Sequence, residues 1–308
     1  MRLAVVGVGH LGRHHARILR ALPGVELVAV VDVNRARAEE VAHEHGARAF
    51  TDWRDVLDQV DAVTIATPTV VHVELAEAFL ERRIHVLVEK PMTSTTVEAD
   101  RLLRVAAERG VRLAVGHTER FNPAVERIKP LVQAPRFIEV HRLGTFPERS
   151  LDIDVVFDLM IHDLDLVLDL VGGEVVGIEA VGVPVLTPRV DIANVRLRFA
   201  SGCIANLTAS RISRDRVRKI RFFQRDAYLS VDYAAQEAEV WRLVPKDGAM
   251  PGIEGGKLEI VRDEPLKREL EDFVAAIRDG RAPLVTGEQG RAALALAERV
   301  VERMEMAK

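Results

Sequence analysis

Two patterns of hydrophobic and polar positions divide the chain near residue 118. In the first part, short continuous runs of Val, Ile, Leu and Ala alternate with longer segments whose hydrophobic residues recur at helical spacing. The runs predict strands at 2–7, 25–32, 61–67, 84–89 and 111–116, and the segments between them predict helices near 12–21, 35–45, 70–82 and 94–109. Continuous apolar strands are typical of parallel strands covered on both faces. This part therefore predicts an α/β fold with a doubly wound parallel sheet.

In the second part, strand follows strand. The sequence predicts helices near 121–133, 154–172, 266–279 and 288–305, a strand near 136–144, and further strands on VRLRF, CIANLTAS, VRKIRFF, AYLSVDY, EVWRLV and KLEIVR between 174 and 262. Successive strands without intervening helices indicate an antiparallel sheet with one open face. The segment 245–256 predicts a mobile hairpin loop. We expect two domains, 1–118 and 119–308, the second an α/β domain with a large, mostly antiparallel, open-faced sheet.

The composition adds few constraints to this picture. With 308 residues the chain is long enough for two domains. The formal net charge of -4 gives no sign of a nucleic-acid or membrane partner, and no run of about 18 uncharged apolar residues predicts a membrane span. Cys203 is the only cysteine, so no disulfide can form within the chain. A single cysteine favours a reducing compartment, and we expect a cytoplasmic protein.

The segment VVGVGHLG joins the first predicted strand to the first predicted helix. Gly7, Gly9 and Gly12 have the G-x-G-x-x-G spacing of a dinucleotide-binding Rossmann turn. In such a turn the first glycine permits the tight bend, the second lets the backbone approach a pyrophosphate, and the third lets helix and strand pack closely. The alternative is a glycine-rich turn with no ligand. The cofactor-binding candidates in this turn are Gly7, Gly9, His10, Leu11 and Gly12.

Asp32 ends the next predicted strand, twenty residues after Gly12. An acidic residue at this place accepts hydrogen bonds from the adenosine ribose. A 2′-phosphate would face the same carboxylate, so the sequence favours NAD over NADP as the cofactor. Arg35 lies close in sequence and keeps NADP possible.

Further candidates follow the next two strands, because ligands of an open α/β sheet lie outside the carboxyl ends of its strands. Thr67, Pro68 and His72 are predicted to flank the cofactor; the alternative for His72 is a solvated place on a helix surface. Glu89 and Lys90, in VEKP, are predicted at the same edge. Lys90 precedes a proline, which holds it in extended geometry, and its ammonium group can hydrogen-bond a substrate oxygen. The alternative for Lys90 is a surface lysine.

A stripe of titratable residues runs through the apolar helix predicted at 154–172, which ends at two glycines that suit a C-cap. Asp158, His162, Asp165 and Asp169 recur at steps of four, three and four, with no Lys or Arg among them. In a regular helix these side chains share one face. Besides a catalytic role, three explanations are open: a solvated stripe, a buried helix whose acids pair with distant arginines, and a metal site, for which no other histidine is clearly placed.

The motifs GVGHLG, ATPTVVH, VEKP and D-x-x-x-H together resemble the Gfo/Idh/MocA oxidoreductase family, over the whole chain. The resemblance implies a Rossmann domain, an α/β domain whose open sheet often makes dimer or tetramer contacts, and NAD(P)-dependent oxidation of a secondary hydroxyl of a sugar or cyclitol, or the reverse. Many members have a Gly-Gly-Gly run before the aspartate, where this chain has DIDVV. With GHTERFNPAV and DLMIHDLD, that variant is most similar to the subgroup of UDP-N-acetylglucosamine 3-dehydrogenases.

The resemblance implies catalytic roles for Lys90, Asp158 and His162. Oxidation of an alcohol removes a hydride from carbon and a proton from oxygen, and His162 is suited to accept the proton. Lys90 would stabilise the developing alkoxide, and Asp158 would hold the histidine ring or bind a sugar hydroxyl. Arg120 and Asn122 open the second domain and are candidate substrate contacts, with a structural salt bridge as the alternative for Arg120.

Three functions remain open from the sequence: a dehydrogenase of a nucleotide-activated sugar, a dehydrogenase of a free sugar or inositol, and an NAD-binding regulatory protein without catalysis. Retention of Lys90, Asp158 and His162 argues against the third. We expect a homodimer or homotetramer, with no metal, nucleic-acid or membrane partner. Asp165 and Asp169 are expected to serve structure. The histidines expected to be solvated are His14, His15, His43 and His45.

Overall fold

The computed structural model describes residues 1–146, 153–245 and 251–305. These residues form two compact units. The first comprises residues 1–118 and 264–294, and the second comprises residues 119–263 and the residues from 295 onward. No helix within the described ranges has the length and apolar character needed to cross a membrane.

The first unit is built on a parallel sheet of six strands. Its strands are β1 (Arg2–Val6), β2 (Glu26–Val31), β3 (Arg48–Phe50), β4 (Ala62–Ile65), β5 (His85–Glu89) and β6 (Leu113–Gly116), and its first helices are α1 (His10–Ala21), α2 (Arg35–His45), α3 (His72–Glu81) and α4 (Thr96–Arg109). The strand order is β3-β2-β1-β4-β5-β6, so strand addition changes direction beside β1, which is the topology of a doubly wound sheet. The predicted Rossmann sheet is confirmed.

Helices cover both faces of this sheet, which explains the continuous apolar strands. Leu3, Val5 and Leu87 have no or almost no exposed surface, and they share a core cluster with apolar residues of α1 and α2. Strand β3 was not predicted from the sequence. It has only three residues and begins with an exposed arginine, so it carries too little apolar periodicity to be recognised.

The second unit contains an eight-stranded sheet in the order β14-β13-β12-β11-β7-β10-β9-β8. Its elements are α5 (Pro123–Ile128), β7 (Phe137–Leu143), α6 (Ile161–Val171), β8 (Val175–Val183), β9 (Ile192–Phe199), β10 (Ile204–Ser210), β11 (Val217–Phe223), β12 (Ala227–Asp232), β13 (Glu237–Val244) and β14 (Gly252–Lys257). Only the β7–β10 pair is parallel in this sheet. The predicted mostly antiparallel sheet is confirmed.

One face of this sheet is covered and the other is open. Along β9, buried residues alternate with exposed ones, so that Val195 and Leu197 face the core while Arg196 and Arg198 face away from it. Along β7, β10 and β11 buried residues likewise alternate with less buried ones over most of each strand, although Arg218 is exposed at the start of β11. A sheet with one solvated face needs this period of two.

The last strand of the sheet lies earlier than predicted. KLEIVR was predicted to be a strand, but β14 is Gly252–Lys257, and all of it except Lys257 lies in the segment predicted as a loop. Residues 246–250 of that segment lie outside the described residues. Gly255 has φ 149°, and a Cβ there would lie 2.0 Å from the carbonyl oxygen of Val240. The close approach to β13 therefore requires glycine, and a glycine-rich strand gives no hydrophobic alternation in the sequence.

Two predicted helices of the second unit are shorter or less regular in the structure. The helix predicted at 121–133 is α5 followed by a 3₁₀ turn, Lys129–Leu131, where Pro130 cannot donate the next helical hydrogen bond. The helix predicted at 154–172 begins as a π-helical turn, Val156–Met160, and continues as α6. It ends at Gly172 with φ 67°, whose N–H donates to Leu168, so the predicted glycine cap is confirmed.

Two C-terminal helices complete the fold, α7 (Pro265–Arg278) and α8 (Gly287–Glu305). Leu266, Leu270 and Phe273 of α7 are buried in the same core cluster as Leu3 and Val5 of β1. Residues 264–294 therefore belong to the first compact unit, whereas the predicted division gave all of 119–308 to the second domain. An amphipathic helix shows in its sequence that it buries one face, but not which sheet it covers.

Candidate active site

The glycine turn between β1 and α1 is shaped for a phosphate group. Gly7 has φ 84°, and a Cβ on it would lie 2.7 Å from the carbonyl oxygen of Ala66. A Cβ on Gly12 would lie 1.8 Å from the carbonyl oxygen of Gly7, so helix and strand meet backbone to backbone. Gly9 is different, because no atom lies within 4 Å of its Cβ position. It is the N-cap of α1, and the first turn of that helix has no acidic residue, which leaves the amide groups open to an anion.

Asp32, at the end of β2, is fixed by three donors. Its Oδ2 accepts from the N–H of Val8 at 3.1 Å and from Nη1 of Arg37 at 3.3 Å, and its Oδ1 accepts from the N–H of Asn34 at 2.9 Å. A carboxylate has about four acceptor positions, so room remains on Oδ1 for a ribose hydroxyl. The residues of this turn and Asp32 together fit the diphosphate and adenosine ribose of a dinucleotide.

The arginine that contacts Asp32 is Arg37, whereas Arg35 was the one named from the sequence. Arg35 is exposed and lies 3.6 Å from Glu39, one helical turn along α2. Arg37 is the residue whose guanidinium reaches the Asp32 carboxylate. Asn34 caps α2 by accepting from the N–H of Arg37, and this turn of the helix brings residue 37 back toward Asp32.

His72 ties together the segments that follow β4 and β5. Its ring is buried, with Nε2 2.9 Å from the carbonyl oxygen of Thr67 and Nδ1 3.0 Å from that of Pro91. Burial lowers the pKa of His72, so the ring is neutral and donates to one of the two carbonyls. The solvated alternative for His72 is wrong. The cofactor contacts of Thr67, Pro68 and His72 stay a prediction.

Glu89, the last residue of β5, is buried and lies beside a buried histidine. Nε2 of His15, on α1, lies 3.0 Å from Oε1 of Glu89. The prediction that His15 is solvated is wrong, since its side chain has no exposed surface. A Cβ on Gly116 would lie 2.8 Å from Oε2 of Glu89, so the neighbouring strand has glycine where the carboxylate lies. Lys90 follows directly, before a cis bond to Pro91.

Glu269, on α7, was not recognised from the sequence as part of this region. Its carboxyl is fully buried, and the Thr118 hydroxyl lies 3.4 Å from Oε2 and 3.5 Å from Oε1. Burial, and then the negative charge of Glu89, raise the pKa of Glu269 well above its ordinary value. The carboxyl is therefore a neutral acid next to Glu89. The sequence signal that could have indicated a buried carboxyl was the place of Glu269 on the apolar face of α7, between Leu266 and Leu270.

In the second unit, the acids of α6 are neutralised by distant basic residues. Arg120 forms two hydrogen bonds with Asp165, from Nε at 2.6 Å and from Nη2 at 3.0 Å, and its Nη1 lies 2.5 Å from Asp169. Lys129 also pairs with Asp169, at 2.6 Å. Asp165 and Asp169 thus have the structural role expected of them. Arg120 forms a structural salt bridge, which was the alternative role that the sequence left open for it.

Asn122 is likewise bound within the protein. It is the N-cap of α5, where its Oδ1 accepts from the N–H of Ala124 at 3.1 Å, and its Nδ2 donates to the carbonyl oxygen of Tyr233 at 3.0 Å. Its side chain is buried. The substrate contacts predicted for Arg120 and Asn122 stay a prediction.

A second buried ion pair, which the sequence did not reveal, lies next to His162. Arg142 of β7 donates from Nε and Nη2 to both oxygens of Asp163, at 2.7 and 2.9 Å, and from Nη1 to Glu119 at 3.0 Å. Burial by itself would lower the pKa of Arg142, but the charges of Asp163 and Glu119 raise it. The pair fixes the residue that directly follows His162.

Asp158 and His162 lie on one continuous helical segment, and both are partly buried. Asp158 is inside the π-helical turn and His162 is the second residue of α6. A π turn is wider than an α turn and is frequent at functional sites. The π turn therefore alters the regular helix face that the four-residue spacing of Asp158 and His162 predicted. Lys90 belongs to the first unit, and Asp158 and His162 belong to the second.

A Rossmann unit with a complete dinucleotide turn, joined to an open-sheet unit with an Asp-x-x-x-His helix, defines the class of NAD-binding oxidoreductases. Residues 1–117 match the oxidoreductase family with an NAD-binding Rossmann fold, and residues 138–229 match the GFO/IDH/MocA C-terminal domain. The chain belongs to the Gfo/Idh/MocA family and is an NAD-dependent dehydrogenase that acts on a hydroxyl group.

Two curated relatives illustrate the range of this family. The chain is 43% identical over 304 residues to a UDP-N-acetylglucosamine 3-dehydrogenase of Acidithiobacillus ferrooxidans, covering 97% of this chain and 96% of that protein. It is 29% identical over 311 residues to a scyllo-inositol 2-dehydrogenase (NAD(+)) of Bacillus subtilis, covering 93% and 89%. A solved structure of the Acidithiobacillus enzyme matches with a TM-score of 0.93 at 41% identity, covering 99% of this chain and 98% of that one.

Asp32→Ala should weaken NAD binding and reduce the preference for NAD over NADP. A hydrogen bond to a charged group contributes about 1.5–3 kcal/mol, so NAD affinity should fall by about tenfold or more. NADP affinity should fall less or rise, because Arg37 loses its carboxylate partner and becomes available to a 2′-phosphate. Titration of both cofactors measures the ratio. Arg35→Ala is the control and should leave it unchanged; an unchanged ratio in Asp32→Ala would contradict the assignment.

Glu269→Gln should remove a loss of stability that the wild type shows as the pH rises. The folded protein keeps a proton on Glu269 that the unfolded chain releases above the ordinary pKa of 4.5, so wild-type stability declines with pH above that value. Glutamine has no proton to lose. Urea midpoints between about pH 5 and 8 should therefore rise for the variant relative to the wild type as the pH increases.

Glu271→Gln, an exposed change on the same helix, is the control for that experiment and should follow the wild type. If the midpoints of Glu269→Gln and the wild type run parallel over the whole range, the buried carboxyl is not held in its neutral form.

Proposed function

We propose that this dehydrogenase oxidises a secondary hydroxyl of a sugar nucleotide, with the 3-hydroxyl of UDP-N-acetylglucosamine as the first candidate. The observation that carries the proposal is the 43% identity, over 97% of the chain, to an enzyme named for that reaction. The segments GHTERFNPAV and DLMIHDLD, together with DIDVV in place of a glycine run, agree with it.

The first unit supplies the cofactor side of the reaction. The amide groups at Gly9 and the start of α1 would hold the diphosphate, with His10 and Leu11 beside them. The Asp32 carboxylate would hold the adenosine ribose. NAD held by these residues would supply the hydride acceptor. We propose that Glu89 keeps the end of β5 in place through His15, so that Lys90 presents its ammonium group to the substrate oxygen.

The second unit supplies the proton acceptor. We propose that His162 takes the proton from the substrate hydroxyl, since histidine titrates near neutral pH and this residue is only partly buried. The Arg142–Asp163 pair restrains the first turn of α6 and thereby the backbone of His162. Asp158, in the preceding π-helical turn, would orient the ring or bind a sugar hydroxyl. Lys90 would stabilise the alkoxide as the proton leaves.

A free sugar or an inositol is the second candidate substrate. It is favoured by the 29% identity to the scyllo-inositol 2-dehydrogenase of Bacillus subtilis and by the 28% identity to a myo-inositol 2-dehydrogenase of Thermotoga maritima, both over more than nine-tenths of this chain. The identity to these relatives is lower than that to the sugar-nucleotide enzyme. The non-catalytic alternative makes a different prediction, because such a protein would bind NAD and turn over nothing.

The experiment is to incubate the protein with NAD and a panel of UDP-sugars, free hexoses and inositols, and to follow absorbance of the reduced cofactor. We expect turnover with UDP-N-acetylglucosamine and little with N-acetylglucosamine alone. Turnover confined to hexoses or inositols would refute the proposal in favour of the second candidate. NAD binding without turnover of any member would favour the regulatory protein.

In the same assay, His162→Ala should lose about 10²–10⁴-fold in turnover, which is the usual contribution of a placed general base. Lys90→Ala should lose a comparable factor if it stabilises alkoxide charge. NAD affinity should change little in either variant. The wild-type rate should rise with pH across the range in which histidine loses its proton, and this rise should vanish in His162→Ala.

His43→Ala, on the exposed face of α2, is the matched control and should keep wild-type turnover. Near-normal turnover of His162→Ala with an unchanged pH profile would mean that another group is the base.

We propose that the chain forms a homodimer or homotetramer through the open face of the second sheet. The rings of Phe137, Phe223 and Tyr228 lie on this face with centroids 5.5 and 5.3 Å apart. Trp241 of β13 is 41% exposed. Light scattering should therefore give a mass above the 34.2 kDa of one chain, and Trp241→Glu should lower it. A wild-type mass of one chain at micromolar concentration would refute the proposal.

A further inference from the structure

Two arginines, Arg142 buried and Arg218 exposed, end neighbouring rows of core residues on the covered face of the second sheet. On β7 the row is Ile138, Val140 and Arg142, and on β11 it is Arg218, Ile220 and Phe222. The four apolar members have at most 1% exposed surface. Arg142 and Arg218 are direct cross-strand partners. Like charges in that arrangement repel each other, so the pair needs a compensating negative charge.

Within the described ranges, protein carboxylates form ion pairs with only one of the two arginines. Arg142 uses Nε, Nη1 and Nη2 for its bonds to Asp163 and Glu119. Arg218 has no salt bridge and no side-chain hydrogen bond among the residues that the structure describes. Partial burial, and then the positive charge of Arg142, lower the pKa of Arg218, while the carboxylates of Glu119 and Asp163 act in the opposite direction. Its exposed guanidinium therefore offers a full set of donors to a ligand.

A second polar group in this place lacks a hydrogen-bond partner within the described residues. The hydroxyl of Tyr233 is buried without one, and the Tyr233 ring lies 5.4 Å from the Arg142 guanidinium. Its backbone N–H donates to the carbonyl oxygen of Arg218 at 2.9 Å. Buried polar groups are almost always hydrogen-bonded, so an unmatched hydroxyl on the residue whose backbone bonds to Arg218 supports a ligand with acceptor oxygens at this end of the sheet.

The loop before β11 adds positive charge at the same end of the sheet. Arg214 and Arg216 are exposed there, with Asp215 between them. The loop starts from a fixed point, because Arg211 is buried and its Nε lies 2.8 Å from Asp191. A loop whose backbone is held at one end and whose arginines are exposed is suited to bind an anion.

We propose that Arg218, with Arg216 and Arg214 on the adjoining loop, binds the diphosphate of the sugar-nucleotide substrate. The inference rests on the proposed function and makes it more specific. A diphosphate carries charge that a free sugar lacks, and guanidinium groups bind phosphate oxygens through paired N–H donors. The Arg142–Asp163 pair connects this position to α6, because Asp163 directly follows His162. The diphosphate would thus be bound on the same face of the sheet as the helix of the proposed base.

The experiment measures UDP binding and UDP-N-acetylglucosamine kinetics in Arg218→Gln. UDP itself is the probe, by calorimetry and as an inhibitor of the dehydrogenase. Because a hydrogen bond to a charged group is usually strong, UDP affinity should fall by about tenfold, and KM for UDP-N-acetylglucosamine should rise by a similar factor while kcat falls much less. Added salt should weaken UDP binding more in the wild type than in the variant.

Two further variants make the result specific. Arg196→Gln removes the same charge from the open face of the sheet, where Arg196 is exposed and bonds to Asn206, and it should bind UDP as the wild type does. Arg218→Lys keeps the charge without the paired donors and should give an intermediate KM. It also provides a folded variant if Arg218→Gln is unstable.

The possible outcomes separate this inference from the function on which it rests. If the wild type turns over UDP-sugars but Arg218→Gln and Arg218→Lys keep its KM and its UDP affinity, the diphosphate site is wrong and the proposed function stands. If the wild type neither binds UDP nor turns over any UDP-sugar, both are wrong.

Discussion

The second unit depends on one constraint, which is that a charge buried in a protein core must be neutralised where it lies. Helix α6 places Asp163 and Asp165 in the core with almost no exposed surface. Each carboxylate receives two hydrogen bonds from an arginine outside the helix, Arg142 from the sheet and Arg120 from the segment before α5. Paired donors fix direction as well as distance. The rotation of α6 about its axis is therefore fixed, and with it the position of His162.

The same constraint is met differently in the first unit. Glu89 and Glu269 are two buried carboxyl groups with no lysine or arginine partner among the residues that the structure describes, and burial raises the pKa of Glu269 so that it keeps its proton. Nε2 of His15 lies within hydrogen-bond distance of Glu89. A carboxyl pair of this kind tolerates one negative charge. The end of β5, and Lys90 after it, is thus held by an arrangement that depends on a proton.

Sequence reasoning succeeded where the signal is local. The parallel sheet follows from continuous apolar runs, and the turn at Gly7 and Gly9 follows from residues within one segment. It failed where a residue's surroundings come from distant parts of the chain. His15 faces a carboxylate 74 residues away, and Glu269 lies near a strand end far from it in sequence. Neither neighbour can be inferred from spacing. Strand β14 was misplaced because its glycines pair through backbone alone.

The position of α7 has a consequence for the order in which the protein is made. Residues 2–116 contain all six strands of the Rossmann sheet, yet Leu266, Leu270 and Phe273 complete its core. When the ribosome has released residue 118, the face of β1 and α1 that α7 will cover is still bare apolar surface. It remains so until about 150 further residues have been synthesised. The first unit cannot complete its core until α7 has been synthesised. During that interval the exposed apolar surface of β1 and α1 is a place where a chaperone would bind.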